Sequence, residues 1–537
     1  MKRMKKIMAL MLAAIMMMAM SVTAFAAEGA AGTHTLTVNV KSTTPAQDLK
    51  GQTINLYKLF DVTESTSGET KNYAYTVNTA YKTALVNVLT KLKTSVSAIP
   101  DVTETSTDAE LAAAVSSIGA KDSETVQKFA NDFTTYALTQ NSKLDATTNS
   151  GKLGEVASYE FTGLDAGYYL VYVTGGKEIQ SSLVTVDSTT NTVNLKTEAP
   201  SIEKKADKET VSIGQVVKYT VTGSIPDTTG YEQYVYKIHD TLTTGLDFVN
   251  DATGTALREG ATTVNIKVAF GEGVTDAGTA PATATLSGEG NRQMVLDLSE
   301  WVRTNQANNK GKEFTVTYYA KVNKAAVVTE KNSAHLEYGN NPGETTTTTP
   351  SEAKTPTYPL DILKIKKDTE EILAGAHFTL YASTTAGVID ESKPIKVTKV
   401  ADGKYSYAAD QTSTDPSVIT DMVTVASKIE GQGYNLHING LAAGTYYLKE
   451  TKAPDGYNKL TEAIKVTITK STTTDENEWT LTVDKGTVDG KIVKVENSTG
   501  SLLPSTGGRG AIAFAVIAAL LVFGVAVSFI RDKRKEA

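Results

Sequence analysis

Three polar residues in the C-terminal part of the sequence stand where strand alternation turns side chains toward an apolar face. Lys364 shares such a face with Ile362. Glu450 shares one with Leu448, and Asn497 follows two valines at alternate positions. A lysine amine is a nucleophile only when neutral, and burial lowers its pKa. A carboxyl in the same apolar pocket stays protonated, so it could donate to an asparagine carbonyl and relay protons. These residues could react if one core collects them; otherwise they are an exposed lysine, a surface glutamate and a turn asparagine.

The composition excludes several classes of function. The sequence has 537 residues, a net charge of −7 and no cysteine. Disulfides, thiol catalysis and thiolate metal sites are therefore excluded, and the five histidines show no zinc spacing. We expect no metal and no cofactor. The charge is ordinary and there is no basic arm, so nucleic acid is not an expected partner. Tyrosine dominates the aromatic residues and Thr-rich alternating stretches recur, which favours an exported, β-rich protein.

The N-terminus has the pattern of a secretory signal peptide over residues 1–26. Lys2, Arg3 and two further lysines precede an apolar run, and Ala24-Phe25-Ala26 follows it. We predict cleavage after Ala26. An N-terminal membrane anchor is the alternative interpretation.

The predicted fold class is all-β, with tandem immunoglobulin-like β-sandwich domains. The first domain is predicted at 33–198, the second at 201–349 and the third at 358–498. Apolar residues at helical spacing between 80 and 144, such as Leu85 and Leu89, predict two or three helices inserted into the first domain. A break near Pro200 and the Thr-rich spacer at 345–350 separate the three domains.

The C-terminus combines three parts in a fixed order. A pentapeptide (Leu503, Pro504, Ser505, Thr506, Gly507) precedes an apolar run at 511–530 and a basic tail. The run predicts a transmembrane helix. Together, residues 503–537 resemble the cell-wall sorting signal of Gram-positive surface proteins. The resemblance implies that sortase, a membrane cysteine transpeptidase, cuts between Thr506 and Gly507 and passes the threonine carboxyl to an amine.

Two stretches of the third domain carry a second resemblance. The run at 444–457 (GTYYLKETKAPDGY) and the stretch at 373–378 (LAGAHF) resemble the collagen-adhesin B-type immunoglobulin-like domain, in which the first run is called the E-box. The resemblance implies an isopeptide bond between Lys364 and Asn497, with Glu450 as its catalyst. Lys366 is the alternative lysine.

The second domain resembles the middle domain of sortase-assembled major pilins, a collagen-adhesin-type fold. This resemblance implies that Lys204 and Asn332 form an isopeptide bond and that Asp240 catalyses it, with Lys205 as the alternative lysine. Ordinary sandwich strands with surface charges are the competing interpretation. In the first domain, residues 164–171 imitate the start of an E-box without its glutamate, so no isopeptide bond is expected there.

A lysine near the end of the first domain is the candidate acceptor for Thr506. Pilus backbone subunits carry a lysine there in a motif of the Tyr-Pro-Lys-Asn type. The matching stretch at 193–198 (VNLKTE) keeps the valine, the lysine and the location, but lacks the Tyr-Pro and the Asn. We therefore predict that Lys196 is the acceptor; the alternative is an exposed surface lysine.

Taken together, the sequence resembles the major (backbone) pilin of a Gram-positive sortase-built pilus. The resemblance implies a structural protein rather than an enzyme, secreted and then held in a pilus on the cell wall. The implied partners are a class C (pilin) sortase, a housekeeping sortase, identical subunits, minor pilins and peptidoglycan. A stand-alone wall-anchored adhesin or a minor tip or base pilin is the alternative. A secreted hydrolase is disfavoured because the sequence has no nucleophile elbow and no metal cluster.

Overall fold

Alternating burial along the strands sets the architecture of the protein. A computed structural model describes residues 32–40, 48–67, 70–119, 123–139, 144–174, 180–187, 190–195, 200–228, 233–339, 345–500 and 509–533. The predicted signal peptide with Ala26, the predicted acceptor Lys196 and the pentapeptide at 503–507 lie outside the described residues.

The chain divides into two compact units. The first unit comprises Met1–Glu209, Val216–Lys321 and Lys331–Lys354. The second comprises Thr210–Gln215, Val322–Glu330 and Thr355–Ala537. The division into three domains at 33–198, 201–349 and 358–498 stays a prediction.

The N-terminal part of the first unit holds two sheets. Its described strands are β1 (His34–Asn39), β2 (Thr53–Ser67), β3 (Thr70–Val77), β4 (Thr148–Asn149), β5 (Ser158–Leu164), β6 (Gly167–Thr174), β7 (Gln180–Val186) and β8 (Thr190–Asn194). One sheet has the order β5-β1-β8, and the other has the order β3-β2-β6-β7 with β4 beside β2. The first and last strands, β1 and β8, are parallel neighbours.

Three helices lie between β3 and β4. They are α1 (Lys82–Lys93), α2 (Asp108–Ser116) and α3 (Glu124–Thr139). Leu85 and Leu89 are fully buried because helical spacing puts them on one face of α1. Thr107 and Glu110 form a capping box at the start of α2, each side chain bonding the other's backbone N–H. The helical insertion predicted between 80 and 144 is confirmed.

The rest of the first unit is a second pair of sheets. Its strands are β9 (Glu203–Ala206), β10 (Val216–Ser224), β11 (Val235–Leu242), β12 (Leu246–Val249), β13 (Thr263–Asn265), β14 (Lys267–Phe270), β15 (Thr283–Ser287), β16 (Gln293–Asp297), β17 (Glu313–Val322), β18 (Lys331–Gly339), β19 (Thr346–Thr347) and β20 (Ser351–Lys354). One sheet is β12-β17-β10-β9 with β14 beside β17; the other is β13-β15-β16-β11-β18-β19 with β20 beside β18. A helix, α4 (Ser299–Asn309), follows β16.

The second unit is built on two further sheets. Its strands are β21 (Tyr358–Lys366), β22 (His377–Ser383), β23 (Ile389–Pro394), β24 (Val397–Ala401), β25 (Lys404–Tyr407), β26 (Val418–Ile419), β27 (Met422–Val423), β28 (Leu436–Leu441), β29 (Gly444–Lys452), β30 (Ile464–Thr469), β31 (Thr480–Val483), β32 (Thr487–Asp489) and β33 (Ile492–Asn497). One sheet has the order β26-β24-β25-β28-β21-β33-β32; the other is β23-β22-β29-β30-β31 with β27 beside β22. Leu360, Phe378 and Leu448 are fully buried in the core of this unit.

A helix, α5 (Arg509–Lys533), follows these strands. In the part of the chain that the structure describes, no helix is both long and apolar enough to cross a membrane. The transmembrane helix predicted at 511–530 is therefore not confirmed, whereas the all-β fold class is confirmed.

Two short segments from earlier in the sequence belong to the second unit. The Ile213 N–H donates to the Gly440 carbonyl at 3.1 Å. The Ala442 N–H donates to the Ser212 hydroxyl at 3.0 Å, and the Asn439 side-chain amide donates to the Ala326 carbonyl at 3.1 Å. These bonds attach both segments to the end of β28 and the turn that follows it.

Gly214 stands where one of these segments touches the rest of the second unit. Its φ is +85°, and a Cβ there would overlap the backbone of Ala409. We expect Gly214→Ala to lower the unfolding free energy by about 1–2 kcal/mol for the left-handed backbone and by about 1–3 kcal/mol more for the overlap. The matched control is Gly456→Ala, whose φ is +86° with no atom within 4 Å of the added Cβ. Gly456→Ala should therefore show only the loss of about 1–2 kcal/mol that comes from the left-handed backbone.

The measurement is a guanidinium chloride midpoint read from Trp479 fluorescence in a Trp301→Phe background. Trp479 is 5% exposed and lies in the second unit, so its emission reports that unit. Equal losses in the two glycine variants would contradict the proposed overlap.

Candidate functional site

The first constellation, formed by Lys364, Glu450 and Asn497, is built by three strands of the second unit. Lys364 lies on β21 and Asn497 ends β33, and these strands are parallel neighbours. Lys366 stands opposite Asn497 in the register, so Lys364 lies two residues along, diagonally across the pair. Glu450 lies on β29 in the other sheet. The fold therefore brings the predicted lysine, acid and asparagine together from two sheets.

The three side chains are in contact and shielded from water. Lys364 is 0% exposed, and Glu450 and Asn497 are each 1% exposed. Lys364 Nζ lies 3.5 Å from Glu450 Oε1 and donates to the Val495 carbonyl at 3.3 Å. Asn497 Nδ2 donates to Glu450 Oε2 at 3.0 Å. Nucleophile, amide and carboxyl thus share one pocket.

Glu450 and Asn497 make further hydrogen bonds in this pocket. Its Oε2 also accepts from the Leu460 N–H at 2.7 Å, and Asn497 Nδ2 donates to the Asn458 carbonyl at 2.5 Å. Among the described residues, neither Glu450 Oε1 nor Asn497 Oδ1 accepts a hydrogen bond. Buried acceptors nearly always have a donor, so these two oxygens are unusual for a folded core.

Burial lowers the pKa of Lys364 to about 8, against the opposing attraction of Glu450. An ordinary lysine, with a pKa near 10.4, is almost wholly charged at neutral pH. At a pKa of about 8, roughly a tenth of the Lys364 amines are neutral at pH 7. The site therefore offers a usable nucleophile under physiological conditions.

This lowered pKa predicts how the rate of bond formation at Lys364 depends on pH. The rate should rise about tenfold from pH 6 to pH 7, because the neutral amine fraction rises by that factor below the pKa, and should flatten above pH 8. The chain is collected in guanidinium chloride as it is synthesised, diluted into each buffer, and followed by intact mass for the loss of ammonia. A rate independent of pH between 6 and 7 would contradict the prediction.

The two candidate lysines of this unit have different surroundings. The Lys366 side chain is 38% exposed and pairs with Glu371 at 3.3 Å. Lys364 is the lysine whose amine contacts Glu450. Asn435, which the sequence analysis did not identify, fixes the backbone there: its Oδ1 accepts from the Lys364 N–H at 2.8 Å. The available sequence signal was an asparagine directly before an alternating strand.

The second constellation is formed by Lys204, Asp240 and Asn332. It spans the two sheets formed by β9 to β20, which we call the middle region. Lys204 lies on β9, opposite Val221 of β10. Asp240 on β11 and Asn332 on β18 lie on neighbouring strands of the other sheet. The first strand of this region therefore faces its last long strand across the sandwich core.

These residues are also buried in contact. Lys204 is 4% exposed, Asp240 1% and Asn332 0%. Lys204 Nζ lies 2.5 Å from Asp240 Oδ2 and 4.8 Å from the ring centroids of Tyr219 and Tyr318. Burial lowers the pKa of Lys204, although Asp240 opposes the shift. As in the other constellation, the second carboxyl oxygen and the asparagine Oδ1 accept no hydrogen bond among the described residues.

Lys205, the alternative lysine, is on the opposite face of β9. Its side chain is 71% exposed and pairs with Glu203 at 2.9 Å. Tyr318, which the sequence analysis missed, donates its hydroxyl to Asp240 Oδ2 at 2.5 Å. Strict alternation in β17 was the signal that could have placed this tyrosine in the core.

In the first part of the chain, one lysine, Lys58, pairs with two aspartates. Asp165, in the stretch that imitates an E-box start, lies 3.2 Å from Lys58 Nζ. Asp61 also pairs with Lys58. Within the described ranges, no three His, Cys, Asp or Glu side chains are grouped as metal ligands.

Comparisons with known proteins found a matching family model and several similar solved structures. Residues 359–483 match the family model of the SpaA prealbumin-like fold domain. The chain is similar to the major pilin SpaA of Corynebacterium diphtheriae, with 16% identity and a TM-score of 0.40 over 87% of this chain and 100% of that one. It is similar to the T6 backbone pilin of Streptococcus pyogenes serotype M6, with 17% identity and a TM-score of 0.37 over 87% and 99% of the two chains.

A third similar structure is the major pilin RrgB of Streptococcus pneumoniae, with 15% identity and a TM-score of 0.38 over 87% of this chain and 100% of that one. No curated protein matches the chain. The family match confirms the predicted resemblance for the segment that carries the E-box. Residues 359–483 thus match the family model of the SpaA prealbumin-like fold domain, and the solved structures named above are those of major or backbone pilins.

Proposed function

We propose that this protein is the structural backbone subunit of a covalently polymerised pilus on a Gram-positive cell wall. The observation that carries the proposal is the pair of buried lysine, carboxyl and asparagine constellations, at Lys364 and at Lys204. A surface protein without cysteine can be stabilised covalently by such bonds. The match of residues 359–483 to a SpaA domain supports the same function.

Each constellation would form one isopeptide bond without an enzyme. The neutral lysine Nζ attacks the asparagine Cγ, the new C–N bond forms, and the bond from Cγ to Nδ2 breaks. A proton moves from Nζ to Nδ2, which leaves as ammonia, and the carboxyl group polarises the amide and assists the transfer. Lys364 would thereby join Asn497, and Lys204 would join Asn332.

Polymerisation would use the two ends of the subunit. A pilin sortase forms a thioester at Thr506, and Lys196 of the next subunit attacks it. The contact is heterologous and does not close, so repetition gives a fibre. A housekeeping sortase would then attach the fibre to peptidoglycan, with minor pilins as possible additions.

The experiment that tests the polymer is an immunoblot of the wall fraction. Wild-type cells should give a ladder of high molecular mass, and Lys196→Ala should reduce it to the monomer. Lys205→Ala is the matched control, because this nearby lysine is exposed and lies outside both constellations; its ladder should remain. A single band in the wild type, unaffected by Lys196→Ala, would favour a stand-alone adhesin or a minor pilin.

A further inference from the structure

Tyr318 contacts the second constellation and is not used by the proposed mechanism. It lies on β17 and is 0% exposed. Its hydroxyl accepts from Lys204 Nζ and donates to Asp240 Oδ2 at 2.5 Å. Asn332 Nδ2 lies 3.5 Å from the same hydroxyl. One phenol oxygen therefore contacts the attacking nitrogen, the carboxyl and the leaving nitrogen.

The phenol is also in the protonation state that a relay needs. Burial, reinforced by the nearby Asp240 carboxyl, raises the pKa of Tyr318 well above its usual value. A neutral phenol can accept a proton on its oxygen while it gives up its own. In the low-dielectric core, without competing water, such a chain of bonds is strengthened.

The two constellations reach the leaving nitrogen in different ways. In the second unit, Asn497 Nδ2 donates directly to Glu450 Oε2 at 3.0 Å. In the first unit the acid is aspartate, one methylene shorter, and Asn332 Nδ2 contacts the phenol instead. The phenol, itself bound to Asp240, extends the reach of the shorter acid.

We propose that Tyr318 is a catalytic residue of the Lys204–Asn332 condensation and relays the proton from the attacking amine to the leaving nitrogen. This inference rests on the proposed function, since it requires that the bond forms. As the bond from Nζ to Cγ forms, Nζ loses a proton to the phenol oxygen. The phenol's own proton, which it donates to Asp240 Oδ2 before the reaction, passes to Nδ2 once attack on Cγ has given that nitrogen a lone pair. The bond from Cγ to Nδ2 then breaks with its electron pair on nitrogen, and ammonia leaves. Tyr318 ends unchanged.

The test follows bond formation over time in full-length chains. The chains are collected in guanidinium chloride, diluted to refold, digested with trypsin and analysed by mass spectrometry for the peptide pair joined at Lys204 and Asn332. Tyr318→Phe should slow this bond about 100-fold, the lower end of the range for a lost proton-transfer group. Tyr219→Phe is the matched control, because its ring also lies 4.8 Å from Nζ; its rate should stay close to wild type.

Two further measurements separate catalysis from folding. The Lys364–Asn497 bond in the same molecules should form at an unchanged rate, and Trp301 fluorescence in a Trp479→Phe background should show that the first unit folds. If Tyr318→Phe fails to fold, Tyr318→3-fluorotyrosine keeps the side-chain shape and lowers the phenol pKa. A shifted pH–rate profile for that variant supports the relay, and an unchanged profile overturns it.

A wild-type rate in folded Tyr318→Phe would overturn the relay while leaving the bond itself intact. If no joined peptide is found in the wild-type chain either, the proposed bond fails as well. The two failures are therefore distinguishable.

Discussion

Lys364→Met should leave the mature chain heavier by one ammonia than the wild type, once the substitution itself is subtracted. Methionine fills much of the same buried space but has no amine to attack Asn497. Loss of a cross-link that closes a loop of this size should lower the unfolding free energy by about 5 kcal/mol in the chain-entropy view. Intact mass and the guanidinium chloride midpoint of the second unit would measure both effects.

Lys366→Met is the matched control for this prediction. The residue stands opposite Asn497 in the strand register, yet its side chain is half-exposed and pairs with Glu371. An exposed ion pair is worth about 0–1 kcal/mol, so the mass should match the bonded form and the midpoint should barely change. If Lys366→Met lost the bond and Lys364→Met kept it, the assignment of the nucleophile would be wrong.

Asp240→Asn should abolish the bond at Lys204 even though it makes the amine easier to deprotonate. Burial lowers the pKa of Lys204 and Asp240 raises it, so removing the carboxylate leaves burial alone and lowers the pKa further. A larger fraction of the amine would then be neutral, but no acid would polarise the amide of Asn332. We expect a chain one ammonia heavier and about 5 kcal/mol less stable in its middle region.

Asp297→Asn is the control on a neighbouring strand of the same sheet. Its side chain is 56% exposed and pairs with Lys237 at 3.5 Å, so the bond should form normally. The comparison is made by intact mass and by peptide mapping. Retention of the Lys204–Asn332 bond in Asp240→Asn would show that the acid is dispensable, and the proposed mechanism would have to be abandoned.

Strand alternation predicted that Lys204 and Lys364 face the core, but it did not exclude Lys366. Lys204 and Lys364 each follow an isoleucine by two residues, and both are buried. Lys205 differs from Lys204 only by one step in the alternation, and it is on the surface. Lys366 shows the limit of the rule, because it has the parity of Lys364 but ends its strand, where its side chain turns to Glu371.

Contacts between distant strands could not be predicted in the same way. The alternation of β17 turns Tyr318 inward, but it does not say that β9, β11 and β18 bring their polar groups to its hydroxyl. Likewise, nothing local in Thr210–Gln215 indicates that this segment bonds to Gly440 and Ala442. Such partners depend on tertiary packing, and a single sequence carries no direct signal of it.

The parallel pairing of β21 with β33 has a mechanical consequence. The chain enters this region at the start of β21 and leaves at the end of β33, which lie at opposite ends of the parallel pair. Tension on the chain therefore slides the strands along each other and loads their hydrogen bonds together in shear, instead of opening them one by one like a zipper. With Lys364 joined to Asn497, the tension would cross at Lys364, near the end of β21, and residues 365–496 would carry none.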